Sequence, residues 1–243
     1  MKTTKFLLLI CCALATITAC NEDDSFTPTI PGTDIDPKDY ATNITNPYYP
    51  LTPGTTLYYV NTSVEEGDTT IENVEVAVTQ DTKEIMGVTC RVVHDVATDE
   101  EGNVQEDTYD WYAQDKDGNV WYFGENTKAY DNGSVSTEGS WEAGVDGAAP
   151  GIVMYADPLA HKGRPYYQEY YPDVAVDQAV VLDAGNRVEV PYGNFSNTLR
   201  IKEYSALEPE VVENKYYVAG LGFVLAKSVK GANEREELVR ITH

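Results

Sequence analysis

Carboxylic acids placed among large aromatic residues are the pattern in this sequence that could carry chemistry. Asp110 lies between Tyr109 and Trp111, and Glu169 lies in a second aromatic run, Tyr166–Pro172. A pair of carboxyl groups is what a glycoside hydrolase uses, one as acid and one as base or nucleophile. A carbohydrate site at these positions is therefore one hypothesis. A solvated polar face of a strand explains both acids equally well.

The aromatic composition points to a binding surface. The chain has eighteen tyrosines and three tryptophans against five phenylalanines. Large rings that keep one polar atom suit cavity walls, rims and interfaces; the alternative is that tyrosine is simply favoured in antiparallel strands. We predict a ligand-binding surface that uses Tyr109, Trp111, Trp121, Trp141 and Glu169.

Trp141 is included because it is the one large residue in a glycine-rich stretch, Ser136–Gly151. That composition predicts a long ordered loop crossing the sheet, and long loops on rigid β scaffolds often carry binding residues. The alternative role for Trp141 is to cap the core.

Common catalytic and metal-binding motifs do not occur in the sequence. It has no Gly-x-Ser-x-Gly elbow, no His-Glu-x-x-His and no Gly-x-x-x-x-Gly-Lys loop. His94, His161 and His243 are too widely spaced for a zinc signature, and we predict no metal and no cofactor. His94 shares a strand parity with apolar residues, so it is either a core histidine with satisfied ring nitrogens or a base at the mouth of a cavity.

The loop around Asp115 and Asp117 resembles a calcium loop only superficially. An EF-hand requires glycine at its sixth position and glutamate at its twelfth, and neither is present in the stretch that starts at Asp115. We therefore predict a β-hairpin turn in which Gly118 adopts a positive φ.

The N-terminus has the organisation of a lipoprotein signal. Lys2 and Lys5 precede the apolar run 6–14, and small residues lead to Cys20 in the sequence Ile-Thr-Ala-Cys. This resembles the lipobox of bacterial lipoproteins, which implies cleavage of residues 1–19 and attachment of palmitate-containing lipid to Cys20. The alternative is an ordinary signal peptide that contains cysteine.

The acidic tract 21–24 resembles the export signal of surface lipoproteins in the Bacteroidota. This resemblance implies a lipid-anchored protein of the outer membrane or cell surface; a periplasm-facing lipoprotein is the alternative. Residues 20–45, rich in proline, threonine and acids, are predicted to form a tether. The predicted membrane contact is through the lipid.

The formal net charge of −23 and the position of Cys90 exclude further kinds of partner and site. Such a charge repels phosphate backbones, so we predict no nucleic-acid partner. Of the four cysteines, Cys90 alone lies beyond the signal and the lipidation site. It shares a parity with Val88 and Val92, which is typical of a small buried hydrophobe.

Period-two alternation predicts the fold. In the stretch 195–202, Phe195, Leu199 and Ile201 share one parity, and polar residues occupy the other. Similar runs separated by short polar turns extend from Thr55 to the C-terminus. We predict a single all-β, mainly antiparallel domain at residues 46–243, built as a strongly curved sheet or half-barrel of roughly ten to twelve strands with little helix.

From residue 88 onward the chain resembles a family of uncharacterised bacterial secreted or lipid-anchored β-domain proteins. The runs that carry this resemblance are Gly87–Val93, Asp110–Asp115, Gly118–Glu125, Val190–Phe195, Glu213–Tyr217 and Gly220–Val224. The resemblance implies the fold and the envelope location but no activity. We therefore expect a non-enzymatic envelope module that binds a glycan, an apolar ligand or an envelope protein; a carboxylate-dependent hydrolase is the alternative.

Overall fold

The computed structural model describes residues 27–65, 67–131, 133–231 and 233–243. The predicted signal peptide and the predicted lipidation site Cys20 lie outside these residues. The described chain is almost entirely antiparallel β-structure, with two short 3₁₀ helices at Pro37–Asp39 and Pro158–His161. This confirms the predicted fold class. No helix among the described residues is long and apolar enough to cross a membrane.

The described residues form sixteen strands, more than the ten to twelve predicted. The excess consists of short segments at the edges and in the loops. In chain order the strands are β1 (Tyr40–Ala41), β2 (Thr56–Glu65), β3 (Asp68–Ile85), β4 (Val88–Thr98), β5 (Val104–Asp115), β6 (Val120–Asp131), β7 (Ser134–Ser136), β8 (Trp141–Glu142), β9 (Ala149–Met154), β10 (Pro165–Tyr167), β11 (Glu169–Tyr170), β12 (Asp177–Val190), β13 (Gly193–Ser205), β14 (Val212–Val218), β15 (Gly222–Lys230) and β16 (Glu234–Thr242).

The sheet is nearly closed into a barrel. Its order is β10-β12-β13-β14-β15-β16-β2-β3-β4-β5-β6-β9-β11, and each neighbouring pair is antiparallel. The two edge strands, β10 and β11, are separated only by Gln168, whose backbone N–H donates to the carbonyl of Asp177. One short segment therefore pairs with both ends of the sheet, which brings the inward faces of distant strands around a common interior.

The β3–β4 hairpin has a two-residue turn. β3 continues through the polar residues 80–83 to Ile85, and the turn consists of Met86 and Gly87. Both turn residues have positive φ, at 51° and 79°, as a two-residue type I′ hairpin requires. The strand passes residues 79–81 through a bulge whose carbonyls accept hydrogen bonds from Arg91.

The hairpin turn predicted around Asp115 and Asp117 is confirmed. It joins β5 to β6 and contains Gly118 at a φ of 91°. The Oδ1 atom of Asp115 accepts the backbone N–H groups of Asp117 and Asn119 and so orders that turn. In β13 the predicted apolar residues Leu199 and Ile201 are fully buried, but Thr198, predicted on the polar parity, is also 0 % exposed.

The segment before β2 belongs to the packed structure. Residues 37–45 were assigned to the tether, yet β1 pairs with β5 and Ile44 is only 1 % exposed. Asn46 is also buried, and its side-chain amide donates to the carbonyls of Gly118 and Tyr155. This segment leads to Tyr49, Pro50 and Leu51, which line the interior of the sheet.

Cys90 lies in the main apolar core, as its strand parity predicts. Its side chain is fully buried, and burial raises the pKa of the thiol to about 12. A thiol with such a pKa is protonated at neutral pH and is a poor nucleophile.

Candidate functional site

The inward face of the sheet encloses a cavity of about 220 Å³, which we call the first chamber. Strands alternate their side chains between two faces, and the chamber is lined by alternate residues of β4 and β5. These are Val93 and Asp95 on β4, and Asp110 and Tyr112 on β5. Side chains from β2, β3, β14, β15 and β16 complete its walls. The chamber therefore depends on residues that are far apart in sequence.

A second chamber of about 160 Å³ adjoins the first. The two share walls formed by Tyr49, Tyr112, Lys215 and Tyr217. The walls that belong only to the second chamber are formed by Tyr122, Val153, Gln168, Glu169, Asp177 and Glu203. The interior is thus an aromatic space that contains many carboxyl groups.

The Tyr122 hydroxyl joins two carboxyl groups from neighbouring strands. Its oxygen lies 2.6 Å from Oδ1 of Asp110 and 3.0 Å from Oε2 of Glu125. A tyrosine hydroxyl carries one proton and can donate to only one of these oxygens. The second hydrogen bond therefore requires a carboxyl group that carries a proton and donates it to the tyrosine oxygen. The geometry indicates one shared proton on Asp110 or Glu125.

The pKa values of these two acids agree with that proton count. Burial raises the pKa of Asp110 to about 7, against the opposing effect of the Tyr122 hydrogen bond. Burial, followed by the charge of Asp110, raises the pKa of Glu125 to about 8. Glu125 is thus the better proton holder of the two at neutral pH.

An irregularity in β6 brings Tyr122 and Glu125 to the same face. Asp110 is paired with Glu125 and Tyr112 with Tyr122, so two residues of β6 oppose the single residue between them on β5. One of the extra residues is Gly124, at a φ of 128°, where a Cβ atom would collide with the carbonyl oxygen of Trp141. This bulge creates the arrangement of the two acids around one hydroxyl.

Lys215 is a cation in the walls of the chambers, and two carboxylates already balance its charge. Its Nζ lies 2.7 Å from Oε2 of Glu203 and 3.1 Å from Oε1 of Glu213. Burial alone would lower the pKa of Lys215, but these two carboxylates outweigh burial and raise it well above its usual value. The side chain is surrounded by protein yet 30 % exposed, because it borders the chambers.

The carboxyl group of Glu203 is contacted by three side-chain donors. Besides Lys215, its Oε1 accepts hydrogen bonds from Nε2 of Gln168 at 3.0 Å and from the Tyr217 hydroxyl at 3.3 Å. Only 8 % of Glu203 is exposed. Glu203 and Lys215 are therefore part of a hydrogen-bonded network in the chamber walls.

Asp95 and Glu236 have no such partners. Both line the first chamber, and no donor contacts either carboxyl group among the residues that the structure describes. Burial raises the pKa of Asp95 well above its usual value, and the nearby charges of Asp110 and Glu236 add to this effect. Burial raises the pKa of Glu236 to about 7, although Lys215 opposes it. The first chamber thus has acidic groups for which the described residues supply no hydrogen-bond donor.

One predicted site residue, Glu169, lines the second chamber, and a second, Trp141, contacts two of its lining residues. The indole Nε1 of Trp141 donates to Oε2 of Glu169 at 3.1 Å, and the indole packs edge-on against Tyr122 at 5.4 Å. Trp141 is 4 % exposed, so it also caps the core. Glu169 lines the chamber itself, and burial raises its pKa well above the usual value.

The other three predicted residues do not line either chamber. Tyr109 stacks on His94 on the opposite face of the sheet, with ring centroids 4.2 Å apart. Trp111 is buried beneath the Lys83 ammonium, 3.3 Å from the ring centroid. Trp121 donates its Nε1 hydrogen to Asp115 at 2.8 Å. On β5 the two aromatic residues alternate with the inward Asp110, which explains their position.

The imidazole of His94 is hydrogen-bonded to a carboxyl group. Its Nε2 lies 2.7 Å from Oδ1 of Asp107, and its side chain is 31 % exposed. His94 also borders an outer groove of about 420 Å³, where Arg240 stacks on Tyr58 at 3.5 Å. Two polar side chains of this groove, His94 and Arg240, thus have partners.

Sequence analysis identified Asp110 and Glu169 but missed most other polar residues of the chambers. The strand parity of two of these acids is a signal for them in the sequence. An acid on the inward parity of a strand is unusual. Glu203 shares its parity with the buried Leu199 and Ile201, and Glu236 shares its parity with the buried Leu238. Among the described residues, no three side chains of the acidic, histidine or cysteine types are grouped so that they could hold a metal ion.

Comparisons with known proteins find distantly similar solved structures at low sequence identity. No protein-family model matches the chain, and no curated protein matches it. One similar solved structure is a protein assigned as exported, with a YMCC-like fold, from Bacteroides fragilis NCTC 9343; it is 13 % identical, covers 81 % of this chain and 99 % of its own, and has a TM-score of 0.44. Another, assigned as a lipoprotein from Parabacteroides distasonis ATCC 8503, is 12 % identical, covers 80 % and 98 %, and has a TM-score of 0.44.

Proposed function

We propose that this chain is a lipid-anchored cell-envelope module that binds a small polar ligand inside its curved sheet without transforming it. One observation carries the binding part: the first chamber is lined by aromatic rings and by the carboxyl groups of Asp95 and Glu236, to which no residue in the described part of the chain donates a hydrogen bond. Unpaired polar groups in an aromatic cavity are what a ligand of matching polarity satisfies on binding.

The lining favours a polar ligand over an acyl chain. A hydrocarbon chain would displace the water that solvates the carboxyl groups of Asp95, Asp110 and Glu236 and would replace none of its hydrogen bonds. A ligand with its own donors avoids that cost. Among the ligands expected from the sequence, a polar one therefore fits the first chamber better than an apolar one.

A cavity-filling substitution tests the binding proposal. Val76 lines the first chamber, so Val76→Phe fills part of the space that a ligand needs. Val135→Phe, at a position that is 56 % exposed on β7, is the matched control. A panel of small cations, sugars and anions is screened against the full chain by thermal shift, with circular dichroism as the check on folding. Binding that Val76→Phe abolishes and Val135→Phe preserves supports the proposal; no stabilisation by any compound contradicts it.

The membrane anchor is proposed from the lipobox-like sequence before Cys20 and the acidic tract after it. Cys20→Ala is expected to move the protein from the membrane fraction to the soluble fraction of the producing cell. Unchanged membrane fractionation would contradict the anchor. Protease added to intact cells then distinguishes the cell surface, which the acidic tract favours, from a periplasm-facing position.

A glycoside hydrolase is the second candidate, because Asp110 and Glu125 are close carboxyl groups with a shared proton. However, the Tyr122 oxygen lies between them, where a glycosidic bond would have to lie. The test is hydrolysis of chromogenic aryl glycosides by the full chain, with Glu125→Gln as the inactive control. Turnover that this substitution removes would favour the hydrolase over the binding module.

A further inference from the structure

We propose that the first chamber binds an organic ammonium ion, with its nitrogen held by the carboxyl groups of Asp95 and Asp110 and its apolar body against the tyrosine walls. The inference rests on the proposed function, because it names the chemical class of the ligand that the cavity takes. Three observations support the inference: the register of β4 and β5, the charge balance of the chamber walls, and the apolar surface of those walls.

The strand register places the two acids next to each other. Asp95 is paired with Thr108, and Asp110, two residues further on, is paired with Val93. Such diagonal neighbours on one face have Cβ atoms roughly 7–8 Å apart or less. An ammonium nitrogen between the two carboxyl groups can therefore donate a hydrogen bond to each, at the usual distance of about 2.8 Å.

The carboxyl group of Asp110 has hydrogen-bonding capacity that the described residues do not use. It is 9 % exposed and lines the chamber, and Tyr122 bonds its Oδ1 atom. Its Oδ2 atom has no donor among the described residues, and the neighbouring Asp95 has none on either oxygen. A nearly buried acid with a free oxygen aimed at a cavity is matched by a ligand that donates hydrogen bonds.

The charges of the walls favour a cation over a neutral donor. Asp95, Asp110 and Glu236 line the first chamber, while Lys215 is held by Glu203 and Glu213. A ligand with one positive charge would balance this excess of acids in a low-dielectric interior. The net charge of −23 for the whole chain also attracts cations and repels anions at long range.

The remaining walls suit an organic body rather than a bare ion. Tyr59, Tyr112 and Phe223 present aromatic rings to the chamber, and such rings attract ammonium groups through their π faces. Leu57 and Val76 add aliphatic surface. A cavity of about 150 Å³ holds a benzene molecule, so this chamber has room for a ring with a short aminoalkyl group.

Three probes of similar shape and different charge test the inference. Benzylammonium, benzyl alcohol and benzoate are titrated into the full chain by isothermal calorimetry at about pH 7.5, where carboxyl groups near a bound cation ionise. We expect benzylammonium to bind roughly tenfold or more tightly than benzyl alcohol, since a charged hydrogen bond replaces a neutral one. We expect no binding of benzoate.

Charge-removing substitutions locate the binding. Asp95→Asn keeps the size of the side chain and is expected to weaken benzylammonium binding roughly tenfold while changing benzyl alcohol binding little. The control is Glu84→Gln, which removes an exposed charge on β3 outside the chambers. Circular dichroism verifies that both variants fold, and equal weakening by the two variants would overturn the assignment to this chamber.

The outcomes separate this inference from the proposed function. If benzyl alcohol or a neutral sugar binds as tightly as benzylammonium and Val76→Phe abolishes the binding, the ammonium inference is wrong and the binding proposal stands. Calcium chloride that binds and displaces benzylammonium would also overturn the organic-cation assignment. If no probe of any charge binds, both proposals fail.

Discussion

The shared proton around Tyr122 makes the stability of the protein depend on pH in a way that one substitution should change. The pKa of Glu125 rises from 4.5 to about 8 on folding, so the native state keeps a proton that the unfolded chain releases. The free energy of unfolding therefore falls as pH rises from about 4.5 to 8. For one such proton the slope is roughly 1.4 kcal/mol per pH unit.

Glu125→Gln removes this proton and keeps a donor for the Tyr122 oxygen, because the glutamine amide can replace the carboxyl O–H. Between pH 5.5 and 7.5 the wild type is expected to lose roughly 2 kcal/mol more stability than the variant, after allowance for the solvent that reaches Glu125. Asp95, Asp110, Glu169 and Glu236, whose pKa values burial also raises, leave a smaller slope in the variant.

Urea unfolding followed by tryptophan fluorescence at several pH values measures both slopes. Glu84→Gln serves as the control, since it removes an exposed carboxyl group from β3. We expect the stability of the control to follow that of the wild type with pH, and the stability of the Glu125 variant to change less. Parallel curves for all three proteins would refute the assignment of the proton to Glu125.

Three further substitutions test the interior. Tyr122→Phe removes the hydroxyl between Asp110 and Glu125 and should destabilise by about 1–3 kcal/mol, with the larger loss at high pH, as measured by urea unfolding. Gly124→Ala should cost more than about 2 kcal/mol, because its Cβ would meet the Trp141 carbonyl, whereas Gly102→Ala, at a positive φ with open space around it, should cost about 1 kcal/mol. Lys215→Met should cost about 2 kcal/mol by leaving Glu203 without its cation, less than for a fully buried pair because Lys215 borders the chambers.

Local sequence patterns predicted the long strands but not the short segments at the edges. The alternation of Leu199 and Ile201 with polar residues, for example, predicted the inward face of β13. These patterns are reliable because a sheet with one buried face imposes a period of two on each strand. The pattern could not predict the bulges at 78–82 and 123–124, which depend on contacts with Arg91 and Trp141.

The cavity was harder to predict, because its walls come from strands that pair only through the tertiary fold. Asp95 and Asp110 become neighbours through the β4–β5 register, and Glu236 joins them from the last strand. A single sequence gives the parity of each strand but not which strands face one another across the interior. This is why the predicted surface included Tyr109 and Trp111, which lie on the opposite face of β5 from Asp110.

The central claim is that the first chamber is a ligand site for an organic ammonium ion. Crystals of the full chain soaked with 4-bromobenzylammonium test it most directly, because the anomalous signal of bromine locates the ligand. The account predicts one strong bromine peak inside the first chamber, with the ammonium nitrogen between Asp95 and Asp110. A peak confined to the outer groove at His94 and Arg240, or no bound bromine in crystals where the chamber is open, would contradict it.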